Sequence, residues 1–166
     1  MGTMENLAAA FAGESQANRK YLAFAAKADK DGFPQVAKLF RAAAEAETIH
    51  AHAHLRAMGG INATIENLEA AIAGEAYEFK EMYPEFIAEA EKECNKKAVV
   101  SFKNAMPVEE THHGLYTKAL AAVKAGNDLP DTGIYICPVC GHTVDDGVPD
   151  TCPVCNVPGK KFVEVS

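Results

Sequence analysis

The chain has 166 residues, 48% of them hydrophobic, which is enough for one good core and a small appendage. A net charge of −7 leaves no basic face for nucleic acid, and its simplest reading is solubility. No apolar run approaches the ~20 residues of a membrane span, and Met1 to Asn6 carries no basic stretch leading into an apolar one. A cytoplasmic location is therefore expected, with neither a membrane nor nucleic acid as partner.

Ala, Glu, Lys and Leu dominate the first 125 residues, a composition that favours long helices. The first helix is expected from about Asn6 to Lys30, ending at Asp31-Gly32-Phe33-Pro34, and Pro34 suits the first turn of the second. The second helix runs to about Met58 and stops at Gly59-Gly60. Thr64 is the expected N-cap of the third, which continues to about Glu93 with a bend at Tyr83-Pro84. The fourth covers about Asn95 to Ala125 and ends at Gly126-Asn127. Pro107 lies inside it, where a kink or bulge is expected. From Ile134 onward Pro, Gly, Val and Cys replace Ala and Glu. The expected domains are a four-helix bundle over residues 1–130 and a metal-knuckle domain over 131–166, too small to fold without a metal.

Glu14 precedes Glu47-Thr48-Ile49-His50 by 33 positions, and Glu75 precedes Glu109-Glu110-Thr111-His112 by 34. A lone glutamate on one helix and Glu-x-x-His on the next, repeated, is the ligand set of a carboxylate-bridged two-iron site in a four-helix bundle. Helical periodicity puts these residues on apolar faces. Leu7, Ala10, Phe11, Glu14, Ala17, Tyr21, Phe24 and Ala25 share one stripe. Val36, Leu39, Phe40, Ala43, Glu47, His50, His54 and Ala57 share another, and Leu68, Ala71, Glu75, Glu78, Met82 and Phe86 a third. On the fourth helix the motif occurs twice, as Glu109 with His112 and as Glu110 with His113. The first pair lines up with Phe102, Ala105, Leu115, Tyr116, Ala119 and Val123, the more apolar face, and is preferred. Glu110 and His113 are assigned to solvent or at most to a supporting position. Inward carboxylates in such number would be prohibitive without cations to offset them. His52 is expected in solvent, His54 within reach of a supporting role, and Cys94 as a small packing thiol.

Cys137-Pro138-Val139-Cys140-Gly141 and Cys152-Pro153-Val154-Cys155-Asn156 form two knuckles that present four thiolates to one tetrahedral ion. Gly141 and Asn156 are residue types that tolerate positive φ after the second cysteine. Zinc and iron both accept four thiolates; the acidic charge and the neighbouring redox-type metal pair favour iron.

Over nearly its whole length the chain closely resembles rubrerythrin. The carrying segments are Phe11 to Ala17, Gly32-Phe33-Pro34, Ala46 to His50, Gly74 to Glu78 with Met82-Tyr83-Pro84, Glu109 to His112, and Tyr135 to Gly141. The resemblance implies a ferritin-like diiron bundle followed by a rubredoxin-like domain with a four-cysteine iron centre. It implies reduction of hydrogen peroxide to water in oxidative-stress defence. Electrons would arrive from rubredoxin or an NAD(P)H-dependent reductase through the iron held by Cys137, Cys140, Cys152 and Cys155. Position by position, Glu14, Glu47, Glu75, Glu78, Glu109 and His112 would ligate the two irons, and His50 would exchange with Glu78 on one of them. Tyr21 and Tyr83 would hydrogen-bond the ligand carboxylates, and Glu78 would supply or relay protons.

The ferritin-like topology requires the connection from the second to the third helix to cross the bundle. Gly59 to Ala63 spans at most about 20 Å. The flanking helical stretches, Glu47 to Met58 and Thr64 to Glu75, are about 16 Å each. A homodimer with exchanged helix pairs is therefore expected, with a partner chain supplying the closeness that electron transfer needs. Two other functions compete. Ferroxidase or iron-storage activity would use the same diiron site but leave the cysteine domain unexplained. A zinc-ribbon binding module would be colourless and free of iron.

Overall fold

The computed structural model describes residues 2–165, which divide into two compact units at Asn62. The first is a hairpin of two long helices, α1 (Thr3–Lys30) and α2 (Pro34–Ala57). Glu5 starts α1 earlier than periodicity implied, because its carboxylate accepts the Gly2 N–H at 2.8 Å. The tightly packed seam of the hairpin is made of alanines: Ala25 and Ala28 on α1, with Ala37, Ala44 and Ala51 repeating every seven residues on α2, are all buried. Small residues at this period let the helix axes approach closely along their whole length. Asn18 reinforces the seam by donating to the Ala44 carbonyl at 2.7 Å and to the Thr48 hydroxyl at 2.8 Å.

That seam corrects the expected inward stripe of the second helix. Glu47 does turn toward the first helix, yet Val36 and Leu39 remain 46% and 69% exposed, and Phe24 on the first helix 47%. The alanine face buried them less well but packed closer, so the larger residues were left at the rim.

The second unit contains α3 (Thr64–Tyr77), a wide π-helical turn (Glu78–Met82), α4 (Tyr83–Lys92) and α5 (Lys96–Lys124). After these come β1 (Tyr135–Ile136), β2 (Thr143–Val144), a short 3-10 turn (Gly159–Lys161) and β3 (Val163–Glu164). The strands form one antiparallel sheet in the order β2-β1-β3, with Tyr135 opposite Val144 and Glu164. Ala63, not Thr64, occupies the N-cap of α3, and no side chain caps it. Asn95 caps α5 by accepting the Ala98 N–H at 3.2 Å.

The expected bend at Tyr83-Pro84 is the π turn, in which the Tyr83 N–H reaches back five residues to the Glu78 carbonyl. Pro84 has no N–H for the Lys80 carbonyl and crowds the turn before it, and the wider turn gives that ring room. The expected irregularity at Pro107 is absent: α5 keeps α-helical geometry through it.

Four helix ends close in the same way, with a left-handed residue followed by an N–H that bonds five residues back. Gly32, Gly59 and Gly126 serve at three of them, with φ of 85°, 69° and 78°. At the α4–α5 turn the residue is Cys94, at φ 55°, and the Asn95 N–H reaches the Ala90 carbonyl at 2.9 Å. Cys94 is exposed, which corrects its reading as a packing thiol.

Candidate metal centres

On α1 and α2, Glu14, Glu47 and His50 each offer a ligand atom, all within 4.8 Å of one another. The three-residue spacing of Glu47 and His50 sets both on one face of α2, toward Glu14 on α1. His50 Nδ1 lies 3.2 Å from Glu47 Oε2. Glu14 is held above the ordinary carboxylate range, first by its hydrogen bond to Glu47 and then by burial. Glu47 is held below it by the same hydrogen bond and by His50. The two carboxylates oppose each other's ionisation, a conflict that a cation between them would relieve. His50 is the most exposed member, at 56% for its side chain. His54 is half-buried and close enough to favour ionised Glu14, while His52 is exposed.

On α3 and α5, Glu75, Glu109 and His112 form the corresponding group, again within 4.8 Å. His112 Nδ1 lies 3.0 Å from Glu109 Oε2 and 3.8 Å from Glu75 Oε1, and its side chain is only 27% exposed. Glu78, at the start of the π turn, falls outside this close group. It is nonetheless half-buried, and burial and then the charge of Glu109 raise its pKa. Glu75 is raised by burial and by the neighbouring carboxylates, against the pull of His112. The Tyr83 phenol is raised by burial first and then by Glu109, Glu78 and Glu75. Every acid in this half with a displaced pKa is pushed toward its protonated form, as expected for carboxylates gathered without a cation.

On α5 Glu110 is exposed, whereas Glu109 and His112 join the group, as helical periodicity led one to expect. His113 is not simply solvated. It is half-buried, edge-on to Phe79 with ring centroids 5.5 Å apart. Tyr21 stacks in an aromatic group with Phe24 and Phe40.

The four cysteines converge in the small lobe, with Cys137 and Cys152 buried. Two near-identical knuckles build the site. The Cys137 N–H donates to the His142 carbonyl and the Gly141 N–H returns to the Cys137 carbonyl, both at 2.9 Å. In the second knuckle Cys152 pairs with the Val157 carbonyl at 2.8 Å and Asn156 with the Cys152 carbonyl at 3.0 Å. Gly141 and Asn156 take φ of 88° and 60°, as their residue types allow. Cys137 to Cys155 and Cys140 to Cys152 are each 3.6 Å between sulfurs. A tetrahedron with metal–sulfur bonds of about 2.3 Å has edges of about 3.8 Å, so the thiol cage has the right size. Burial works to raise the Cys137 thiol, but the N–H groups of Cys140 and Val139 outweigh it and bring it down to about 7. Burial raises Cys140 and Cys155.

The lobe touches α5 within this unit. His112 Nε2 lies 3.1 Å from the Thr143 hydroxyl of β2, and Lys118 pairs with Asp145 at 2.5 Å. Nothing in the spacing of the sequence pointed to Thr143. A cavity of about 390 Å³ opens beside His112, bordered by Leu68, Leu115, Ala119 and Ile134 among others.

Comparison with known proteins agrees with this geometry. Residues 5–120 match the family model for rubrerythrin, and residues 135–163 match that for the rubrerythrin rubredoxin-like domain. Rubrerythrin-2 of Clostridium acetobutylicum is 34% identical, over 96% of this chain and 95% of that protein. Nigerythrin of Nitratidesulfovibrio vulgaris is 36% identical, over 96% of this chain and 85% of its own length. A structure of nigerythrin in a partially reduced state matches with a TM-score of 0.60 and 34% identity, covering 99% of this chain and 87% of that one. The fold class is accordingly a ferritin-like helical domain followed by a rubredoxin-like knuckle. Its metals are a diiron-carboxylate pair and one four-cysteine iron.

Proposed function

The chain belongs to the rubrerythrin family of oxidoreductases, and from that premise we propose that it reduces hydrogen peroxide to water in the cytoplasm. The balance is one peroxide, two electrons and two protons to two waters. When bound, a diiron pair would supply the two electrons that O–O cleavage needs, and an iron held by Cys137, Cys140, Cys152 and Cys155 would return them from rubredoxin or an NAD(P)H-dependent reductase. The observation that carries this reading is the bond from His112 to Thr143, which joins a carboxylate–histidine group to the cysteine lobe inside one unit. An iron-storage protein has no use for that attachment.

In this reading Glu14, Glu47, His50, Glu75, Glu109 and His112 would hold the irons, and Glu78 would exchange with His50 on one of them. Glu78 suits proton delivery because its half-buried carboxyl lies at the start of the π turn beside the Glu75, Glu109 and His112 group. Tyr83 and Tyr21 steady the carboxylates as phenol donors. The domains divide at residues 130 and 131. Five free cysteines fit a reducing compartment, and no described helix is long and apolar enough to cross a membrane.

Each helix pair carries only half a ligand set, and α1 and α2 leave large apolar residues exposed. Both features support a homodimer in which the first helix pair of one chain completes its bundle with the second pair of its partner. A monomer by light scattering would remove that part of the reading. For the activity, the reduced protein is mixed separately with peroxide and with oxygen while the visible absorption of the four-cysteine iron is followed. Rapid reoxidation by peroxide and slow reoxidation by oxygen are expected; the reverse order would favour a ferroxidase.

A further inference from the structure

His112 has two ring nitrogens with different neighbours, and the hydrogen bonds of the Thr143 hydroxyl assign the Nε2 side a donor role. The Thr143 hydroxyl lies 3.0 Å from the Gly141 carbonyl, which can only accept. Its single proton is committed there. The same hydroxyl lies 3.1 Å from His112 Nε2, so toward the imidazole it can only accept, and Nε2 must be the donor. Nδ1, which faces Glu109 at 3.0 Å and Glu75 at 3.8 Å, is then the nitrogen left to meet the carboxylate oxygens. A contact that close needs a positive centre between nitrogen and oxygen, either a proton or, when metal is bound, the cation that replaces it.

We propose that Thr143 is a positioning residue that holds His112 in the Nε2–H form and so aims Nδ1 at the metal. This rests on His112 being an iron ligand, as in the function proposed above. Groups that orient a ligand histidine from behind support metal affinity by about 10- to 100-fold. Thr143 does so from the cysteine lobe rather than from the helices. Its hydroxyl also braces the first knuckle through Gly141, so ligand orientation at one centre depends on the fold of the other.

The test uses the full chain labelled with ¹⁵N-histidine and loaded with zinc, a diamagnetic probe for both sites. In the unmodified protein, nitrogen NMR should find His112 protonated at Nε2, with a slowly exchanging proton, and metal-bound at Nδ1. Thr143→Val keeps the shape but removes the acceptor. It should speed exchange of the Nε2 proton and weaken zinc at the carboxylate site by about 10-fold or more. Thr143→Ser should restore both. The iron-loaded variants should keep the visible absorption of the four-cysteine centre, which shows that the lobe is folded. If the protected proton and zinc affinity are unchanged in Thr143→Val, the proposed role is wrong while the metal site stands. If the unmodified chain binds zinc only at its cysteines, both readings fall together.

Discussion

The two helix pairs are near repeats of each other, and they differ where the chemistry is. Tyr21, Phe24, Phe40, Glu47 and His50 of the first correspond to Tyr83, Phe86, Phe102, Glu109 and His112 of the second, each 62 positions later. The aromatic groups match closely: Tyr–Phe, Tyr–Phe and Phe–Phe centroid distances are 6.4, 6.1 and 5.6 Å in both. Leu7, Gly13 and Glu14, however, correspond to Leu68, Gly74 and Glu75 at an offset of 61. The extra residue is absorbed by the π turn at Glu78–Met82. One inserted residue leaves the packing on either side in register and places an additional carboxylate, Glu78, beside the second half-set. The lesson is that a repeated scaffold acquires asymmetric chemistry through a local change in helical pitch.

The surroundings diverge in the same sense. His50 is 56% exposed at the side chain and lies 3.2 Å from Glu47, whereas His112 is 27% exposed and has Thr143 3.1 Å behind it. The histidine of the first half is the more accessible, and that of the second the more confined. Substitution provides the strongest challenge. Glu109→Ala and Glu47→Ala should each abolish peroxide turnover, with losses beyond the ~100-fold of groups that merely support ligands. Iron analysis of the purified variants would show whether the losses follow metal.

Glu78→Gln should lower kcat by about 10²- to 10⁴-fold, the usual worth of a general acid, while the iron count stays near that of the parent. Steady-state kinetics beside metal analysis would separate the two quantities. Unchanged turnover would make the π turn a packing device and return the two halves to chemical equivalence.

The metal-free protein allows a subtler comparison. Glu75 and Glu78 have folded pKa values raised above the unfolded one, so the folded state holds protons more tightly. Their contribution to stability is fully present below about pH 4.3 and is lost as pH rises through the raised values. In the first half Glu14 is raised but Glu47 is lowered, and their contributions oppose each other. Thermal melts of apoprotein should therefore show Glu75→Gln and Glu78→Gln gaining stability over the parent as pH is raised toward 7. Glu47→Gln should gain none. Bound metal should remove the effect.

The smallest expected effect concerns the interhelical turns. Gly32 in the first half corresponds to Cys94 in the second, again 62 positions on, and both are left-handed. A side chain in that conformation costs roughly 1–2 kcal/mol, so Cys94→Gly should raise Tm by about 2–4 °C or somewhat more in a chain of this size. Calorimetry would detect it. No gain would mean that the cysteine packs better at this turn than its exposure indicates.

Much of this was legible in the sequence because it depends on local rules. The knuckles need two short spacings and a residue tolerant of positive φ, all within one stretch of chain. The choice of Glu109 and His112 over their neighbours followed from helical period. What stayed hidden depends on relations between distant segments. The close seam of α2 was not visible, because periodicity registers hydrophobicity, not the closeness that Ala37, Ala44 and Ala51 permit. Of the two expected irregularities, the one beside Pro84 is present and the one at Pro107 is not, and nothing within either segment separated them. The shift from 61 to 62 was a readable sign of the first. Thr143 had no sign at all, since its partner His112 lies on another element, 31 positions away.

The central claim is that Glu14, Glu47 and His50 act with Glu75, Glu109 and His112 as one two-iron site and not as two separate ones. Iron per chain, measured in native protein and in Glu47→Ala and Glu109→Ala, tests it most directly. The account predicts a diiron pair plus the four-cysteine iron in the parent, and only the four-cysteine iron, with its colour intact, in either variant. Loss of one helical iron in each variant, with the other still bound, would contradict it.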